Sequence, residues 1–196
     1  MAARPRVVVL AGPNGAGKST CAPLLLRDAF GVTEFVNADA LAAGLSAYDP
    51  KVVDFQAGRL MVRRLHELAA ARKTFGFETT LASRFYASWL RKLAANGYIV
   101  NLLYVWVASP ELAVQRVRQR VCEGGHDVPE QIVRRRYYRG ARNFSQLYMP
   151  LAENWVVWDN SSNERPQRIA RGTGVAQTTI VIPDAWSQFQ EVAKWT

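Results

Sequence analysis

The chain has 196 residues, 49% hydrophobic and 21% charged, a balance expected of one soluble α/β domain with its own core. No apolar run approaches the roughly 20 residues of a membrane span, and the opening residues lack a signal peptide's apolar stretch. The net charge of +9 raises a nucleic-acid partner, but eight arginines between Arg116 and Arg142 supply much of it. A phosphate-clamping cluster explains them as well, so nucleic acid is not the expected partner. Cys21 and Cys122 are the only cysteines and neither has metal-type neighbours, which points to a reducing cytoplasm. His66 and His126 are the only histidines, too few for a zinc-type site.

In chain order, Val7, Val8, Val9, Leu10 and Ala11 read as a buried strand. Gly12, Pro13, Asn14, Gly15, Ala16, Gly17, Lys18 and Ser19 follow directly. They match the phosphate-binding pattern G-x-x-x-x-G-K-[ST], placed after a strand as it requires. The glycines let backbone N–H groups turn around a phosphate, Lys18 reaches the β- and γ-phosphates, and the Ser19 hydroxyl holds a bridging Mg²⁺. From Thr20 onward a helix points its positive end at the same anion. The helix is expected over 18–28 and a short strand over 34–37, ending at Ala38 and Asp39. Asp49-Pro50 is a break, and an amphipathic helix over 52–71 is apolar at Val53, Ala57, Leu60, Met61, Leu65 and Leu68. A strand over 75–78, a helix over 86–95 and the strongest strand, 99–107, come next. Ser109-Pro110 starts a helix to about 121. Gly124-Gly125-His126 breaks the pattern before a basic helix over 129–144. A last strand at 155–158, a polar loop at 159–163, an edge strand at 178–182 and a terminal helix at 185–194 complete the reading. This alternation predicts one α/β domain over 1–196, a mainly parallel sheet with helices on both faces and its site at the C-terminal strand ends. Asp39, Glu78 and Asn160 fall there.

Asp39 suits a base that takes a proton from an attacking hydroxyl, or a member of the Mg²⁺ shell; the plainer reading is a helix N-cap. Glu78, flanked on its approach by Phe75 and Phe77, with Thr79 and Thr80 suits hydrogen bonds to an acceptor, or a strand-to-helix cap. On the basic helix, Arg136 falls inside the stripe of Ile132, Val133, Tyr137 and Gly140, where a charge calls for an anion such as ATP phosphate. Arg134, Arg135 and Arg139 spread round the surface, while Arg116 and Arg120 share a face of the preceding helix. Together, 116–142 reads as an arginine-rich helical lid that neutralises charge and excludes water.

ABC-type ATPases share the phosphate-loop string but need an LSGGQ-like signature and a strand ending in Asp-Glu; regulatory GTPases need Asn-Lys-x-Asp. None occurs. The combination of Val9–Thr20 as quoted, Phe35-Val36-Asn37-Ala38-Asp39, Phe77-Glu78-Thr79-Thr80-Leu81, the Arg116-to-Pro129 segment around Gly124-Gly125-His126, Arg135-Arg136-Tyr137 and Trp158-Asp159-Asn160-Ser161 resembles the zeta-toxin-type kinases, in their short branch. The resemblance implies a P-loop kinase fold and transfer of the ATP γ-phosphate to a hydroxyl of a nucleotide sugar. In the better-known members this is the 3′-hydroxyl of UDP-N-acetylglucosamine. It further implies Asp39 as base; Lys18, Arg120 and Arg136 (or Arg135) around the transferring phosphate; and Arg116, Arg135 and Asn160 with the loop and Thr20 on the nucleotide. Asn37, Glu78, Thr79 and Thr80 would contact substrate, Ser19 the Mg²⁺, and an antitoxin protein is the implied partner. Those members are longer and carry Gln where this chain has Pro13-Asn14. Two alternatives stand beside this reading: a kinase for another small hydroxylated metabolite, and a nucleotide-switched or nucleic-acid-binding ATPase.

Overall fold

The computed structural model describes residues 3–28, 30–46, 50–162 and 164–195. Asp49 and Asn163, which the sequence places in a break and in the polar loop, lie outside them. Seven strands form one sheet in the order β2-β3-β1-β4-β5-β6-β7. They are β1 (Arg6–Ala11), β2 (Phe35–Val36), β3 (Phe75–Thr79), β4 (Ile99–Trp106), β5 (Asn154–Asp159), β6 (Gln167–Thr173) and β7 (Gln177–Ile180). The first five pair in parallel, and β6 and β7 add an antiparallel hairpin. Central β1 is buried on both faces, with Val7 through Ala11 fully inaccessible, as its unbroken apolar run requires.

The helices are α1 (Lys18–Ala22), α2 (Ala38–Leu45), α3 (Asp54–Ala70), α4 (Phe85–Ala95), α5 (Pro110–Cys122), α6 (Glu130–Asn143) and α7 (Pro183–Ala193). Against one face of the sheet, α4 sets Tyr86 and Trp89 on Phe77, while Phe144 and Phe189 pack on Tyr104. Leu25 and Phe30 lie on the opposite face, beside Leu103. The expected helix over 18–28 is α-helical only to Ala22. From Pro23 to Asp28 it continues as a wider π-helical turn, at the residue that lacks an N–H to donate.

Two further features depart from the sequence reading. β6 was not foreseen, since Arg-Ile-Ala-Arg-Gly-Thr shows no alternation, and an irregularity at Val157/Trp158 interrupts its pairing with β5. Phe75 and Phe77 do not flank the approach to Glu78. Both are fully buried, because β3 is an interior strand and their rings fill the layer under α4.

Candidate active site

The phosphate loop is built by close backbone approach. Gly12, Gly15 and Gly17 all have φ between +78° and +143°. A Cβ on Gly12 or Gly15 would run into the carbonyl oxygens of Val105 and Ala113, and one on Gly17 into the Asn160 amide. Those three approaches keep the loop a cradle. Lys18 opens α1 and is 6% exposed; its Nζ donates to the Pro13 oxygen at 2.9 Å, inside the cradle. Burial pushes the Lys18 ammonium below its ordinary pKa, against the opposing pull of Glu78 and Asp39. Ser19 and Thr20 are exposed on the first turn of the same helix.

Glu78, at the end of β3, is the hub of the loop's polar side. Its Oε2 accepts from the Ser19 hydroxyl at 3.0 Å and from Asn37 Nδ2 at 2.8 Å, and its Oε1 lies 3.6 Å from Lys18 Nζ. So Glu78 is tied to the phosphate-loop side, and its oxygens are shared with the two loop residues that hold phosphate and metal in such cradles. Thr79 and Thr80 use their hydroxyl oxygens as acceptors for the Leu81 and Ala82 amides, keeping the O–H groups available. The turn is sharp: Leu81 is fully buried at φ +52°, with its carbonyl held by Asn143.

Asp39 is not the cap of α2. Asn37 is: its side chain accepts from the Asp39 and Ala40 amides at 2.8 and 3.2 Å. The Asp39 carboxylate is therefore left free and exposed in the helix's first turn, within electrostatic reach of both Lys18 and Arg136.

The arginines sort by partner. Arg136 turns inward and donates to Asn14 Oδ1 of the phosphate loop at 3.2 Å; burial, then Arg135, lowers its pKa, while Asp39 and Asp54 oppose. Gly140 makes that reach possible. One turn further on the same face of α6, it packs so tightly that a Cβ would lie 2.6 Å from the Thr80 carbonyl. Arg135 points to solvent. Arg120 donates to the His126 carbonyl at 2.6 Å and pulls the 123–129 loop over α5, while its buried Nε lacks an acceptor. Lys18 feels its charge. Arg116 does not face the loop directly: its guanidinium donates to the carbonyls of Asn160, Ser161 and Ser162. Asn160 in turn donates to the Ala16 carbonyl at 2.8 Å, so Arg116 and Asn160 form a brace behind the cradle. Arg118 and Arg134 pair with Glu130 and Glu111 on the surface.

The helices bearing these arginines are anchored. Val133 and Ala141 are fully buried, and the Tyr137 hydroxyl donates to the Val107 carbonyl. Sequence reasoning also missed an open cavity of about 560 Å³ between α3 and α4, lined by Asp54, Phe55, Gly58 and Phe85. Asp54 connects it to the site, acting electrostatically on Arg136 and standing 3.9 Å from His126 Nε2. Asp54 is an acid in the first turn of a helix, which by itself marks no site, and exposed phenylalanines carry no motif. No cluster of His, Cys, Asp or Glu among the described residues could hold a metal unaided, and no described helix is long and apolar enough to cross a membrane.

Residues 7–147 match the family model described as AAA domain. The chain belongs to the AAA domain family. Its fold is the α/β P-loop NTPase fold, a mainly parallel sheet with the phosphate loop after β1. Over 132 residues this AAA domain chain is 29% identical to an uncharacterized protein of Haemophilus influenzae, covering 67% of this chain and 92% of that protein. Among solved structures it resembles the AvrRxo1-ORF1:AvrRxo1-ORF2 complex with sulphate ions, at TM-score 0.75 and 15% identity over 98% of this chain. It spans only 65% of that chain's length. It also resembles a structure from the PezAT chromosomal toxin–antitoxin system of Streptococcus pneumoniae, at TM-score 0.60 and 15% identity, covering 99% of this chain and 89% of that one. At such identities these likenesses speak for the fold.

Proposed function

We propose that this AAA domain protein is an ATP-dependent kinase of zeta-toxin type that transfers the γ-phosphate to a hydroxyl of a small acceptor. The observation that carries this reading is Asp39. Asn37 has taken over the capping work, so the Asp39 carboxylate stands free on the rim, within electrostatic reach of Lys18 and Arg136. A motor ATPase has no need of an uncommitted carboxylate there, whereas a kinase needs one to accept the acceptor's proton. The phosphates lie in the cradle of Gly12, Pro13, Asn14, Gly15, Ala16 and Gly17, with Lys18 and Arg136 countering the charge that develops on the γ-phosphoryl oxygens.

The residues fit a Mg²⁺ held jointly with substrate. Ser19 Oγ and Glu78 Oε2 lie 3.0 Å apart beside the cradle, and Mg²⁺ favours one or two protein oxygens plus phosphates and waters over an all-protein cage. When bound, it would neutralise charge between the β- and γ-phosphates. In that arrangement Ser19 and Glu78 hold the metal side, and Asn37 fixes Glu78 from behind. The acceptor occupies the side of Asp39, Thr79 and Thr80, with the Phe55–Phe85 cavity receiving its remainder. Arg120 holds the 123–129 loop beside α5 through the His126 carbonyl, and lid closure would proceed through that loop and the arginine side chains with the anchored helix bodies left in place.

The first acceptor class to test is UDP-sugars, on the motif resemblance and on the presence of a toxin–antitoxin protein among the similar structures. An antitoxin protein is the corresponding partner, and the cytoplasm the corresponding compartment. Mg-ATP incubated with a panel of UDP-sugars, nucleosides and other hydroxylated metabolites, read by mass spectrometry, should yield one phosphorylated acceptor. Turnover to ADP and free phosphate with every acceptor would refute the kinase reading. The nucleic-acid alternative is disfavoured because Arg116, Arg118, Arg120, Arg134 and Arg136 already have protein partners.

A further inference from the structure

A second cavity, of about 580 Å³, lies on the sheet face opposite Phe144 and Phe189. Its floor is made by side chains of four adjacent strands, β4 to β7, and its wall by Leu25 and Phe30. The volume is that of a small-molecule site. Its chemistry is one-sided. No Asp or Glu lines it, whereas Arg168 and Arg171 both do.

In a regular strand, residues three apart face opposite ways. Here Val157 pairs with Ala170 but Trp158 with Arg168, so β6 carries one extra residue. That bulge returns Arg168 and Arg171 to the same face. Neither forms an ion pair among the described residues; Arg168 lies 5.9 Å over the Trp158 ring. Bulges re-aim side chains at a backbone cost, and this one gathers two uncompensated cations over an apolar floor of Leu103, Val156 and Trp158.

Two further donors wait in the same cavity. Asn101 is 3% exposed, and its Nδ2 has no acceptor, although its Oδ1 accepts from Asn154. The Trp158 Nε1 is likewise buried and unpaired. Buried donors without partners are rare, and two lining one cavity call for an acceptor-rich occupant.

We propose that this cavity binds a small organic anion, separate from the nucleotide. A flat or apolar body lies against Trp158, Val156 and Phe30. Its phosphate or carboxylate is taken by Arg168 and Arg171, and its remaining acceptor atoms by Asn101 and Trp158. Arginine suits this role, since its planar fork binds either oxyanion with two parallel hydrogen bonds.

The test uses the full chain with Mg²⁺ and a saturating non-hydrolysable ATP analogue, so that the phosphate loop is occupied. The probe is 1-anilinonaphthalene-8-sulfonate, a flat apolar body with one anionic group, titrated by fluorescence. Saturable one-to-one binding is expected. The double variant Arg168→Gln/Arg171→Gln, both residues exposed and outside the phosphate-transfer site, should bind the probe at least tenfold more weakly with unchanged Tm and ATP-analogue affinity. Asn101→Leu, which keeps both arginines, should weaken binding without unfolding the protein. Competition with phenyl phosphate and with benzoate tells which oxyanion is preferred. Probe affinity unchanged in the double variant overturns the proposal, as does displacement by a single-stranded oligonucleotide at concentrations far below those of phenyl phosphate. Because ATP-analogue affinity is read separately, failure here leaves the kinase reading where it was.

Discussion

Replacing Asp39 by Asn separates a catalytic carboxylate from a structural one, because the structure sets the two magnitudes far apart. The side chain makes no cap bond; Asn37 accepts from the Asp39 and Ala40 amides. What Asp39 contributes to folding is its charge in the first turn of α2, worth about 0.3–1 kcal/mol against the helix dipole. Loss of that charge also removes one of the two carboxylates that support the buried Lys18 ammonium. A general base contributes about 10²- to 10⁴-fold to rate, or roughly 3–5 kcal/mol of barrier. Asp39→Asn should therefore leave Tm within a few degrees, leave ATP affinity within several-fold, and lower phosphoryl transfer by two to four orders of magnitude. Calorimetric ATP binding, thermal unfolding and single-turnover transfer to the identified acceptor measure the three quantities on the same preparation. Near-normal transfer refutes the reasoning and reduces Asp39 to a helix-dipole residue. A loss of transfer matched by an equal loss of ATP binding also refutes it, since the carboxylate would then serve the nucleotide through Lys18.

Asn160→Ala removes the bond to the Ala16 carbonyl, a part-buried contact worth about 0.5–1.5 kcal/mol. ATP affinity should fall roughly three- to tenfold by calorimetry, and an unchanged Kd would show that the brace is not felt at the cradle. Arg136→Gln should lower transfer about a hundredfold or more, as the loss of one aimed donor does. Arg135→Gln should stay within a few-fold; equal losses would undo the inward–outward assignment made from Asn14 and solvent exposure. In alkali, burial raises the Tyr104 and Tyr137 hydroxyl pKa values and pushes Tyr148 up to about 12. A folded-state pKa above the unfolded one gives stability that is complete below about pH 10 and is lost as pH rises through the folded value. The unfolding free energy from denaturant titrations should accordingly be unaffected by these groups up to about pH 9.5 and fall beyond pH 10, by up to about 1.4 kcal/mol per pH unit for each tyrosine. Ultraviolet absorbance should show these phenols ionising only with unfolding, and ionisation of all seven tyrosines in the folded state would contradict it.

The parts of this fold that were legible in the sequence are those where one physical demand acts alone. β1 and β4 are buried on both faces and so read as apolar runs, β4 interrupted only by Asn101; α5 announces itself with Ser109 and Pro110, and Ser109 does cap it through the Leu112 amide. The phosphate loop was legible because close backbone approach leaves glycine no substitute. What escaped was set by tertiary context. β6 sits near the sheet's edge with most of its side chains exposed, so nothing in its composition marks it. Glu78 could be placed at the rim from sequence, but its bonds to Ser19 and Asn37 join three segments distant in the chain. Arg116 and Arg136 are each one arginine in a run. Only the packing of Gly140 on Thr80 and the position of the 160–162 carbonyls decide which braces and which reaches the loop.

The same sorting changes the meaning of the net charge of +9. As a sequence, 116–142 is a basic stripe; as a structure, it is mostly a set of positioning bonds. Arg118 and Arg134 are matched by Glu111 and Glu130 at the surface, where such pairs contribute about 0–1 kcal/mol each. Arg116 and Arg120 donate to backbone carbonyls, so their charges are not neutralised but their directions are fixed. A positive field therefore persists around the cradle without being available as a flat surface for a polyanion, and it attracts a compact, highly charged ligand best. A triphosphate with its Mg²⁺ is such a ligand. Arg168 and Arg171 lie elsewhere, exposed on the β6–β7 hairpin, where no nucleotide motif lies. That separation sets the proposed phosphate-transfer site at the strand ends apart from the proposed anion site on the face of the same sheet.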